Sequence, residues 1–66
     1  MCRSIVTLRR PDPATHDEAY AAALQFVRKV SGYRKPSKAN EEPFNHAVDE
    51  ITHAVEHLLA SLHSRV

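Results

Sequence analysis

Two apolar stripes at helical spacing dominate the chain. Ala19, Ala22, Ala23, Phe26, Val27 and Val30 recur every three or four residues, which places them on one side of a helix. Phe44, Ala47, Val48, Ile51, Val55, Leu58, Leu59 and Leu62 repeat the pattern almost to the end of the sequence. The spacing predicts a first helical unit over residues 15–32 and a second over residues 41–63, joined by a loop at residues 33–40. Ahead of both, "CRSIVTLRR" alternates only loosely, with Ile5, Val6 and Leu8 as its apolar content. We read residues 1–14 as an extended arm, closed by "PDPAT" because its two prolines fix the backbone.

The ends of the first helix carry their own signals. Thr15 stands three residues before Glu18, the capping-box spacing in which each side chain satisfies the other residue's backbone N–H. Arg28 and Lys29 suit the negative end of the helix dipole, and Gly32, the only glycine, sits where a left-handed residue ends a helix. The second helix has two candidate starts, Ser37 and Asn40. Pro43 fits the first turn of a helix begun at Asn40 better than the interior of one begun at Ser37.

At about 1.5 Å per residue the helices span roughly 24 and 33 Å. An antiparallel hairpin of the two therefore leaves the last turns of the second uncovered. A chain of 66 residues buries only about 60% of its unfolded surface and builds a marginal core. One cysteine allows no internal disulfide, so oligomerisation is the remaining reinforcement. The expected fold is all-α: a two-helix antiparallel hairpin with an N-terminal arm, paired into a four-helix homodimer.

Composition narrows the setting. No apolar run approaches the roughly 20 residues that cross a bilayer, so no membrane role is expected. A lone cysteine without an apolar leader points to the reducing cytoplasm. The net charge of +1 conceals an asymmetry: residues 1–38 carry +5 and residues 39–66 carry −4. The two halves attract each other, within one chain, between copies, or through a basic end that meets an anion.

Three sets of side chains carry possible chemistry. In "RKVSGYRKPSK", Arg28, Lys29, Arg34, Lys35 and Lys38 gather around one loop with Tyr33 among them. Basic side chains and an aromatic ring suit phosphate, on a nucleotide or a nucleic-acid backbone. The single glycine rules out a phosphate-cradling GxxxxGK[ST] or GxGxxG loop, and the acidic second helix would be repelled from a DNA groove. The plainer reading is a solvated loop that pairs with a neighbour's acidic half.

Cys2 becomes the N-terminal residue once Met1 is removed, with a thiol beside a free amine. Such a pair can chelate a soft metal or act as a nucleophile, and Arg3 favours the thiolate. Free cysteines are more commonly small core residues. His16 is the histidine nearest to it in sequence. On the second helix His46, His53 and His57 share an arc with Asp49 and Glu50 opposite the apolar stripe. His53 and His57 stand one turn apart, a spacing at which two imidazoles hold zinc, nickel or copper. Two ligands on an open helix make a weak site, and "HAVEH" lacks the HExxH arrangement of a metalloprotease.

The stretches "MCRSIVTLR", "PAT", "AALQFVRKVSGYRKPSKAN" and "FNHAVDEI" resemble a family of small bacterial proteins known only as a domain of unknown function. The opening MCR and the VRKxSGxxKPSxxN stretch are its specific elements. The resemblance covers nearly the whole chain and implies no activity, cofactor or catalytic residue. In that family the second helix starts at the serine, which favours Ser37, whereas Pro43 favours Asn40. The residues together point to a small cytoplasmic binding or regulatory module that contacts an anionic partner, a ligand or nucleic acid, through its basic loop. The alternative is a metal-binding or thiol-active protein built on Cys2, with zinc as the first candidate metal and histidines as further ligands.

Overall fold

The computed structural model describes residues 7–9 and 12–62. Helix α1 covers His16–Ser31, a 3-10 turn covers Lys38–Asn40, and helix α2 covers Glu41–Ser61. Among the described residues the secondary structure is entirely helical. Of the arm, Thr7, Leu8 and Arg9 form neither helix nor strand, with Leu8 half-buried. Cys2 and the rest of residues 1–6 lie outside the described residues.

Local chemistry sets the start of α1. The Glu18 N–H donates to Thr15 Oγ1 at 3.1 Å and the Thr15 N–H donates to Glu18 Oε1 at 2.9 Å, so both partners of the capping box are engaged. At the far end Gly32 adopts φ 79°, and its N–H donates to the Arg28 carbonyl at 2.9 Å. A side chain at that φ is strained, which is why glycine suits the position.

The two candidate starts of the second helix are used in succession. Ser37 precedes the 3-10 turn and its carbonyl accepts from the Asn40 N–H at 2.9 Å, while Asn40 precedes α2 itself. Pro43 is then the third residue of α2, within the first turn, where a missing N–H costs no helical bond. Glu41 and Glu42 complement the positive end of the same helix. The helix ends at Ser61 because Leu62 turns to extended backbone, two residues short of the expected end.

The helices run in opposite directions: His16, at the start of α1, meets Glu56 late in α2, and Val27, late in α1, packs with Phe44 near the start of α2. The core consists of Ala19, Ala23 and Val27 from α1 and Phe44 and Val48 from α2. Two alanines in the seam let the backbones approach closely. Leu24, Ala47 and Ile51 pack against this core but stay partly exposed.

The structure corrects the expected core in two ways. Phe26 and Val30 belong to the α1 stripe yet are 47% and 70% exposed, and on α2 Leu58 is 55% exposed. The stripes are wider than one partner helix can cover. Thr52 is the opposite case, a polar residue only 2% exposed. Its hydroxyl donates to the Val48 carbonyl one turn back at 2.7 Å, so burial leaves no unsatisfied group.

Candidate functional site: the basic turn

The turn that joins the helices is held by side chains as well as by its backbone. Arg28, in the last turn of α1, donates from Nε to the Arg34 carbonyl at 2.9 Å. The Tyr33 N–H donates to Ser31 Oγ at 3.1 Å, and Asn40 Nδ2 donates to the Tyr33 hydroxyl at 3.1 Å. These three bonds tie Tyr33 and Arg34 to the end of α1 and to the 3-10 turn that precedes α2. The turn is therefore a shaped surface rather than a loose connection.

Of the sequence-predicted set, Arg28, Lys29, Tyr33, Arg34 and Lys35 line the hollows beside the turn, and Lys38 lies in the 3-10 turn that follows. Arg28 is half-buried, and Lys29, Tyr33, Arg34, Lys35 and Lys38 are exposed. Two hollows flank the turn. One, of about 370 Å³, lies beside Arg28, Lys29, Tyr33 and Arg34. The other, of about 400 Å³, shares Arg28 and Arg34 with the first and adds Lys35 together with Tyr20, Leu24 and Phe44. Tyr20, Leu24 and Phe44 are the members that the basic motif in the sequence does not indicate, because only the packing of α1 on the start of α2 places them beside the turn. Among the described residues no carboxylate pairs with Arg28, Lys29, Arg34, Lys35 or Lys38.

Residues 1–66 match the model of a family described as an uncharacterized conserved protein, DUF2277. The chain belongs to the DUF2277 family. No curated protein and no solved structure matches it. The description of the DUF2277 family assigns no activity.

The histidines of the DUF2277 chain are dispersed. His16 Nδ1 donates to Glu56 Oε2 at 2.8 Å, a pair 40 residues apart in sequence that links the start of α1 to α2. The hydrogen bond to Glu56, and then its charge, raise the His16 pKa above the ordinary value. His46 Nε2 lies 3.4 Å from Glu50 Oε1 one turn along α2. His53 and His57 are exposed on the same helix. No group of three or more His, Cys, Asp or Glu side chains able to hold a metal occurs among the described residues, and Cys2 lies outside them. Among the described residues no helix is long and apolar enough to cross a membrane.

A third surface lies on the side of the hairpin that carries Phe26. There a groove of about 310 Å³ runs between the helices, lined by Phe26, Val30, Pro43, Ala47 and Ile51 over the buried Val27 and Phe44. Ala54 and Leu58 continue the α2 edge at the same helical spacing. This face is almost entirely apolar.

Proposed function

We propose that the protein is a small dimeric binding module that holds an anionic partner at its basic turn. The observation that carries this reading is the gathering of four cations, Arg28, Lys29, Arg34 and Lys35, around two adjoining hollows, with Lys38 exposed in the 3-10 turn that follows and no carboxylate paired to any of the five among the described residues. Like charges held close on an ordered turn raise the local potential, and an arriving anion relieves it. Guanidinium groups meet phosphate or carboxylate oxygens through parallel hydrogen bonds. The bond from Arg28 to the Arg34 carbonyl fixes one guanidinium in advance, which reduces the ordering that binding demands.

The dimer is the second element. Among the described residues five apolar side chains are buried, two of them alanine, a thin seam between two helices of this length. Phe26, Val30 and Leu58 remain exposed around the Phe26 groove, where a second copy of the chain covers them. Two hairpins joined this way form a four-helix bundle in which Tyr33 meets the edge of the seam, while Arg34 and Lys35, which line the other hollows, stay outside it. The lone Cys2 accords with action in the reducing cytoplasm.

The test is binding of inorganic polyphosphate to the wild-type protein and to the double variant Arg34→Glu, Lys35→Glu. Both positions are exposed, so the helices stay intact by circular dichroism. Wild type binds, and the variant binds about tenfold or more weakly at low salt. Equal affinity in the two proteins overturns the assignment of the basic turn.

A further inference from the structure

The hollow that joins Tyr20 to the basic turn has a composition that a bare anion does not require. Its apolar side is made of Leu24, Phe44 and the ring of Tyr20, which is 41% exposed. Its cationic side is made of Arg28, Arg34 and Lys35. Inorganic phosphate or an acidic side chain engages the second set and gains nothing from the first. A ligand with a flat ring at one end and a phosphate at the other engages both.

We propose that this hollow binds a nucleoside phosphate, with the base on the Tyr20 and Leu24 side and the phosphate on the Arg28, Arg34 and Lys35 side. The inference rests on the basic-turn reading above and names the ligand class for that site. The volume of about 400 Å³ falls within the roughly 300–1,000 Å³ of small-molecule sites. Base stacking on an aromatic ring is tolerant of base identity and works together with nearby cations. Arg28 spends one of its five guanidinium N–H donors on the Arg34 carbonyl and keeps the rest for phosphate.

Two polar groups at the rim set the orientation. Asn45 offers both a donor and an acceptor, and Glu41 offers a carboxylate. The carboxylate repels phosphate and accepts from a sugar hydroxyl or an exocyclic amine. It therefore turns the phosphate towards Arg34 and the base edge or ribose towards α2. The site shares Phe44 alone with the Phe26 groove, so dimerisation through that groove leaves Tyr20 and the cations open.

The experiment is a ligand titration by amide NMR and calorimetry on the full chain, with adenosine 5′-monophosphate, adenosine, inorganic phosphate, polyphosphate and a five-residue oligoadenylate as separate probes. The monophosphate shifts the amides of Tyr20, Leu24, Arg34 and Asn45, and binds about tenfold or more tightly than adenosine or inorganic phosphate. Tyr20→Leu weakens it about tenfold, whereas Tyr20→Phe, which keeps the ring, stays near wild type. Tyr20 is outside the buried core, and circular dichroism confirms that both variants fold. A large gain for the oligonucleotide over the monophosphate identifies a residue of a single strand as the source, and equal affinity identifies a free nucleotide; either supports the inference. Inorganic phosphate that binds as tightly as the monophosphate, or a Tyr20→Leu variant that binds as wild type does, overturns it. Salt-sensitive polyphosphate binding without monophosphate binding refutes the nucleoside site alone, and loss of both refutes the basic-turn reading as well.

Discussion

Phe26→Ala isolates the role of the apolar face. The ring is 47% exposed in the single hairpin, so of the roughly 200 Å² that a phenylalanine offers, about 90 Å² remains for a partner to cover. At ~25 cal/mol per Å² this amounts to ~2 kcal/mol per copy, and ~4–5 kcal/mol for the two copies of a symmetric pair. The part of the ring already covered within the hairpin is lost equally by monomer and dimer and cancels from the association equilibrium. Truncation should thus raise the dimer dissociation constant about a thousandfold. Sedimentation equilibrium across a range of concentrations measures that constant, and circular dichroism reports the helices in the same samples. Val30→Ser provides a check at a position 70% exposed, where loss to the hairpin itself is slight. A dimer whose constant is unmoved by both substitutions would refute the reasoning, and so would a wild-type protein that stays monomeric at millimolar concentration.

Two further outcomes follow from the geometry. Glu56 raises the pKa of His16, so the stabilising effect of the pair is fully present below the unfolded value of about 6.5 and is lost as pH rises through the higher folded value. Thermal melts should show wild type above His16→Gln at about pH 5.5 and level with it at about pH 8.5; a margin that persists at the higher pH contradicts the assignment. At Gly32, an added Cβ meets nothing within 4 Å, but φ is 79°. Gly32→Ala should accordingly cost about 1–2 kcal/mol from backbone conformation alone, seen as a drop of several degrees in Tm, and an unchanged Tm would exclude that origin.

The features legible in the sequence are those decided within one turn of helix. Thr15 and Glu18 close their capping box, and Gly32 takes the left-handed conformation, because neither depends on the rest of the chain. Stripe spacing indicates which side of each helix is apolar. It does not indicate how much of that side a single partner covers: Phe26, Val27 and Val30 share the stripe, and of the three only Val27 is buried. Thr52 stands outside the apolar pattern because its side chain is polar, and its bond to the Val48 carbonyl is what allows its burial. The start of α2 combined both candidates, since a 3-10 turn can precede an α-helix without a break in the chain's direction.

The site divides along the same line. Its cations are contiguous in "RKVSGYRKPSK" and visible as a cluster. Tyr20 and Phe44 reach the turn only through the antiparallel register of the helices, as does the contact of His16 with Glu56 across 40 residues. That contact engages His16 with a carboxylate on α2, a partner for which its position in sequence gives no cue. The histidines of α2 share a face, as their spacing requires, and among the described residues they gather no third ligand.

The most direct test of the account is the salt dependence of polyphosphate binding by the untagged wild-type protein. If three to five of the cations at the turn contact phosphate, the logarithm of the binding constant should fall linearly with the logarithm of salt concentration, with a slope of about −2 to −3.5. The slope should flatten by about 1 to 1.5 in Arg34→Gln, Lys35→Gln, which removes two of those contacts. A binding constant indifferent to salt, or a slope unchanged by the double substitution, would contradict the claim that this protein works through its basic turn.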